Sequence, residues 1–192
     1  GGQIVDIRSP TGFAGGHIPA SINIWRNGLP LYMGYFLNYE DPVILVDDFN
    51  LDLDHVARHF VRLGYDNIAG YLAGGFSAWF EEGERVERTG VCSPGDLVEH
   101  LDDPSVFILD VRDINHRDET GHIRGSRHVY VGHLEKHLDE IPLDRRIIVH
   151  CDAGFKGSLA ASVLQKHGFP DVTNLLGGTI AWEAANYPLI KD

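Results

Sequence analysis

The sequence predicts an α/β protein of two tandem three-layer domains, each a central, mostly parallel sheet flanked by helices. Three observations carry this expectation. The chain repeats itself at an offset of 103 to 105 positions, short apolar runs recur in each copy, and segments of helical period lie between those runs. Asp6-Ile7-Arg8 returns as Asp110-Val111-Arg112, and Gly16-His17-Ile18 returns as Gly121-His122-Ile123. Leu72-Ala73-Gly74-Gly75 with Trp79 returns as Leu175-Leu176-Gly177-Gly178 with Trp182. Copies of about 100 residues are large enough to bury a core each, so the 192 residues divide into domains 1–88 and 89–192.

The elements follow in chain order. Ile4-Val5 and Val43-Ile44-Leu45-Val46 read as buried parallel strands of the first copy, because both faces of such strands are covered and alternation disappears. Val56, Phe60 and Leu63 share one face of a helix that Gly64 ends. The copies join between positions 87 and 93, after which Ser93 caps a helix, with Pro94 as its first residue, running to about Leu101. Phe107-Ile108-Leu109 and Ile147-Ile148-Val149 are the second copy's counterpart strands. Leu159, Ala160, Val163 and Leu164 then line a helix that starts near Gly157 and is closed by Gly168 and Pro170. Trp79 and Trp182, each following a Gly-Gly pair, read as core. The first copy opens three or four residues before its strand, so it is expected to lack the leading helix and to have been attached to something upstream.

Composition narrows the classes of function. Hydrophobic residues make up 43% of the chain and charged residues 23%, an ordinary globular balance that excludes disorder. No apolar stretch approaches the ~18 residues of a membrane span. The net charge of −12 is shared evenly, with six basic and twelve acidic residues in 1–88 and ten and sixteen in 89–192. Nothing in this acidic balance supplies the cationic field that nucleic acid or an anionic membrane requires. Eleven histidines occur without His-x-His or His-Glu-x-x-His spacing, so no metal site is expected. Two cysteines are too few for a disulfide framework and place the chain in a reducing, cytoplasmic compartment.

The stretch that carries chemistry is Val149-His150-Cys151-Asp152-Ala153-Gly154-Phe155-Lys156-Gly157-Ser158. A buried strand ends at a cysteine and a helix begins a few residues later, which is where open α/β sheets bind ligands. Backbone N–H groups converging at such a turn, added to the positive end of the helix dipole, favour a thiolate over a thiol, so the Cys151 pKa should fall below the ~8.5 of a free cysteine. Gly154 and Gly157 let the loop curl, and Lys156 puts a cation at its rim. A strand-end cysteine is also a common small hydrophobe, but such a residue needs neither the glycines nor the lysine. Cys92, with no such neighbourhood, reads as structural.

The ordered motifs Asp110-Val111-Arg112, Gly121-His122-Ile123, Cys151-x-x-Gly154-x-Lys156 and Leu175-x-Gly177-Gly178-x-x-Ala181-Trp182 resemble those of rhodanese domains. The resemblance covers the second half completely and the first nearly so. It implies a sulfurtransferase in which Cys151 carries sulfane sulfur as a persulfide. Asp152, Ala153, Gly154, Phe155, Lys156 and Gly157 would bind the donor, with no cofactor. The implied partners are a small anionic sulfur donor and a thiol or cyanide acceptor. Two departures stand out: Lys156 replaces the usual loop arginine, and Asp118 occupies the usual aromatic position, in a stretch with one extra residue that includes His116 and Arg117.

The first copy has Asp47 in place of Cys151, Asn50 in place of Gly154 and Asp52 in place of Lys156, so it is expected to be catalytically silent. Its acidic loop lacks the glycine and terminal glutamate of an EF-hand. Asp6, Asp110, Arg8, Arg112, His17 and His122, kept by both copies, read as structural. Two alternatives stay open. Phosphatases and arsenate reductases share the fold, but their loops are one residue longer and end in arginine. A non-catalytic sulfur-carrier or regulatory module is the other, since tandem pairs of this kind are similar to those that follow a metallo-β-lactamase-like domain, and residues 31–37 are similar to an aromatic stretch in such fusions.

Overall fold

The computed structural model describes residues 2–191. Its contacts divide the chain into two compact units, Gly1–Arg88 and Thr89–Asp192.

In the first unit β1 (Gln3–Asp6) leads to α1 (Pro10–Gly15), β2 (Ile22–Asn23), α2 (Leu29–Phe36), β3 (Val43–Val46), α3 (Leu53–Arg62), β4 (Ile68–Tyr71) and α4 (Gly75–Glu81). The sheet is parallel, in the order β2-β1-β3-β4, with Val5 opposite Leu45 in register. Val56 and Phe60 of α3 are buried as expected. Leu63 is not: it is the residue that ends the helix, and it lies on the surface.

The second unit adds β5 (Gly90–Cys92) and α5 (Pro94–Val98) before β6 (Val106–Asp110), α6 (Ile114–Thr120), β7 (Arg127–His128), β8 (Arg146–His150), α7 (Phe155–Lys166), β9 (Val172–Leu175) and α8 (Gly178–Ala184). All five strands are parallel, in the order β5-β9-β8-β6-β7. Ser93 caps α5 as expected: its side chain accepts from the Asp96 N–H, and the Asp96 carboxylate accepts from the Ser93 N–H. The helix is a single turn shorter than the sequence suggests, and α7 begins at Phe155 rather than near Gly157.

The extra strand and helix account for the clearest difference between the copies. Leu97 of α5 and Cys92 of β5 pack with Ile108, Ile148, Leu175 and Trp182 in one buried cluster. Among the described residues of the first unit no strand or helix precedes β1. There Ile44, the counterpart of Ile148, is 37% exposed where Ile148 is fully covered. Trp79 is only half-buried, its indole N–H donating to the Arg85 carbonyl at 2.9 Å, whereas Trp182 is core. The expectation of two core tryptophans therefore holds for Trp182, which packs with Leu97 of α5, and not for Trp79, over which no described helix takes the place of α5.

Candidate active site

The residues of the loop after β8 follow from the chain's path out of a buried strand. His150 and Cys151 are still covered, and the backbone then has to turn into α7. Gly154 makes that turn at φ 87°, a left-handed conformation that costs a residue without Cβ nothing, and it caps the helix. The turn folds back over the thiol. The Gly154 N–H donates to Cys151 Sγ at 3.1 Å and the Gly157 N–H donates at 3.3 Å. Gly157 lies in the first turn of α7, where N–H groups have no intrahelical acceptor and the helix dipole is positive.

Two further elements hold this loop. Asn174 on β9 donates from Nδ2 to the Gly154 carbonyl at 2.9 Å. The start of α8 grips the loop's beginning: the Thr179 N–H donates to the Cys151 carbonyl at 2.8 Å and the Ile180 N–H to the Asp152 carbonyl at 3.0 Å. This close approach explains the Gly-Gly motif, since a Cβ on Gly178 would stand 2.1 Å from the Cys151 carbonyl oxygen. Below the loop lies a buried ion pair, with Arg112 donating from Nη2 to Asp110 Oδ2 at 2.7 Å and from Nε to Oδ1 at 3.0 Å. Burial pushes the neighbouring His150 down to about 4, against the pull of Asp110, so its imidazole is neutral at ordinary pH.

The electrostatics correct one expectation. Burial of Cys151 pushes its thiol above the usual value, and the N–H groups of Gly157, Ala153 and Gly154 with the Lys156 charge only partly pull it back. The sequence correctly suggests the donors but gives no measure of how deeply the sulfur sits. Cys92, also buried, is pushed to about 11 by burial and has no donor array around it.

The candidate binding residues separate by role. Gly154 and Gly157 reach the sulfur through their N–H groups, and the Ala153 N–H acts on it too although the residue is exposed, while Phe155 lies at the surface of the loop with 41% of its surface exposed. Asp152 and Lys156 meet each other, Lys156 Nζ lying 2.6 Å from Asp152 Oδ2. The sequence gives no role to His116, whose Nδ1 lies 2.6 Å from Asp152 Oδ1, nor to Asn174. Only the one-residue insertion around His116 marks it in the sequence.

In the first unit the same loop curls without a thiol. Asp47 stands in the cysteine's place, Arg26 Nη2 lies 2.8 Å from its Oδ2, and the Phe76 N–H donates to its carbonyl at 2.8 Å. Asn50 takes the left-handed turn at φ 54° in place of Gly154. Among the described residues of the chain no group of three or more His, Cys, Asp or Glu side chains is placed to hold a metal ion. No described helix is long and apolar enough to cross a membrane.

Comparison with known proteins gives a consistent result. The family model for the rhodanese-like domain matches residues 1–82 and 93–185. The thiosulfate sulfurtransferase GlpE of Pseudoalteromonas translucida is 40% identical over 88 residues, covering 46% of this chain and 83% of that protein. GlpE of Shewanella oneidensis is 36% identical over 94 residues, covering 49% and 92%. The putative sulfur carrier protein YrkF of Bacillus subtilis is 36% identical over 80 residues, covering 42% of this chain and 43% of that one. Among solved structures, a thiosulfate sulfurtransferase from Pseudomonas aeruginosa aligns over 98% of this chain and 40% of its own, at 24% identity and a TM-score of 0.49.

Proposed function

The chain belongs to the rhodanese-like domain family, with two rhodanese-like halves, and from that premise we propose that its second half moves sulfane sulfur through a persulfide on Cys151. The observation that carries this reading is the pair of N–H groups, from Gly154 and Gly157, aimed at the Cys151 sulfur. Cys151 Sγ as thiolate attacks the outer sulfur of thiosulfate or of a thiol persulfide. A new S–S bond forms while the donor's bond to that sulfur breaks, and its electron pair leaves on sulfite or on the donor thiolate. A thiolate or cyanide acceptor then takes the outer sulfur and returns Cys151 to its thiolate. The loop N–H groups and the α7 N-terminus stabilise the negative sulfur in both steps. The first unit, with Asp47 in that place, is silent in this scheme and serves as scaffold or docking surface. The need for a reduced Cys151 fits a reducing compartment such as the cytoplasm.

The test compares donors across pH. Sulfur transfer from thiosulfate or a thiol persulfide to cyanide is expected to exceed hydrolysis of an aryl phosphate. The rate is expected to rise steadily from about pH 6 to about pH 9, because only the thiolate attacks and burial holds the thiol above its usual value. Faster aryl phosphate turnover would replace this reading with a phosphatase, and loading of Cys151 without turnover would make the chain a sulfur carrier.

A further inference from the structure

The Asp152 side chain takes no part in the scheme above, yet it sits at the mouth of the loop between two basic groups. Its Oδ2 lies 2.6 Å from Lys156 Nζ, and its Oδ1 lies 2.6 Å from Nδ1 of His116, which reaches in from α6. The Asp152 and Lys156 side chains retain 21% and 17% of their exposure, and His116 retains 48%, so the cluster is at the rim and open to a ligand. Asp152 and Lys156 are four residues apart, one at each end of the turn that wraps the sulfur. Burial raises the Asp152 carboxyl, but the hydrogen bond and charge of Lys156, with His116, outweigh it and hold the group below its ordinary value. The carboxylate is therefore charged wherever the enzyme works.

A lysine held this way does not present a full positive charge to an incoming anion. Its field is largely cancelled at the distance of a bound donor, and the net charge of −12 acts in the same direction. We propose that Asp152 is a specificity-determining residue of the sulfur-transfer site, screening Lys156 so that the site disfavours the thiosulfate dianion relative to persulfide donors of lower charge. The proposal rests on the Cys151 reading and adds the class of donor to it. It also gives a physical meaning to a lysine where the family's usual arginine would be: a point charge that one carboxylate can cover.

The test uses the full chain with two donors, thiosulfate and the persulfide of 2-mercaptoethanol, which carries at most one negative charge. In Asp152→Asn the ratio of kcat/KM for thiosulfate to that for the persulfide should rise on the order of tenfold, as expected for uncovering one charge near a dianion. The rise should come mainly through KM and should shrink with added salt. In Lys156→Gln the same ratio should fall below that of the unmodified chain. A ratio unmoved by both substitutions, or lowered in Asp152→Asn with its thermal unfolding unchanged, overturns the proposal. Cys151→Ser is run beside them: if it transfers sulfur, the Cys151 reading itself fails, whereas an inactive Cys151→Ser with flat ratios removes only the role of Asp152.

Discussion

Sulfur transfer should fall by at least about 10³-fold when Cys151 is replaced by serine, the scale of loss expected when a catalytic nucleophile is removed. A serine hydroxyl fits the space but has neither an accessible anion nor a sulfur able to hold a second one. The fold is expected to survive, because the loop is tied by its own backbone: the Cys151 and Asp152 carbonyls accept from Thr179 and Ile180, and Asn174 holds the Gly154 carbonyl. The contrast is Cys92→Ser, which should keep transfer near the unmodified level, since Cys92 packs in the cluster around Leu97 and Trp182 and has no loop donors. Steady-state turnover of both variants checks the pair. Comparable loss in both would place the chemistry elsewhere.

The second large effect is on stability. Arg112→Met should destabilise the second unit by about 3–5 kcal/mol, the cost of leaving one member of a buried ion pair alone. Arg112 is fully buried, and besides Asp110 it donates to the Gly121 carbonyl at 2.7 Å and to Thr120 Oγ1 at 3.0 Å. Its loss strands the Asp110 carboxylate and one carbonyl in a place water does not reach. The pH dependence has a definite sign. Burial raises the Asp110 carboxyl, but the charge that His150 takes on as pH falls to about 4, with the hydrogen bonds and charge of Arg112, outweighs it and leaves the carboxyl below its ordinary value, so its contribution is present above the unfolded value of about 3.9 and is lost as pH falls through the lower folded value. Without Arg112, burial dominates and the folded carboxyl prefers its proton. The deficit should therefore be largest near pH 7 and shrink towards pH 5, as thermal unfolding at several pH values would show.

The first unit shows how context changes one motif. Arg8 makes the same bonds to Asp6, at 2.6 and 3.0 Å, yet the Asp6 carboxyl stays above its ordinary value. Burial is the largest cause in both. Asp6 has Asp48 nearby, which raises it further, and Val46 stands where the second unit has His150. Reading Asp6, Arg8, Asp110 and Arg112 as structural needed only that both copies keep them. The direction in which each titrates depends on neighbours brought together by folding.

Much of the fold was legible because it is written twice. Strands β1, β3, β6 and β8 hold contiguous apolar runs, and the Asp-x-Arg, Gly-His-Ile and Gly-Gly motifs recur at a nearly constant offset, so the doubled α/β architecture follows from pattern alone. What pattern does not record is cover. The same Gly-Gly-x-x-Ala-Trp motif gives a core tryptophan where α5 packs with it and a half-buried one where no described helix does. Depth likewise decides the Cys151 thiol, whose donors were legible and whose burial was not. His116 and Asp152 meet from separate helices and loops, 36 positions apart, a pairing that no local spacing encodes. Asn174 follows Thr173 in a short strand that is half polar, and only the closeness of β9 to the loop gives it its place.

The central claim, that sulfur rides on Cys151, is tested most directly by locating it. The full chain is treated with thiosulfate or a thiol persulfide, the excess donor is removed, free and sulfur-bearing thiols are alkylated, and the peptides holding Cys151 and Cys92 are weighed separately. One added sulfur atom on the Cys151 peptide, discharged by cyanide, is the predicted result. Sulfur on Cys92 instead, or an unmodified Cys151 peptide in protein that turns over normally, would contradict it.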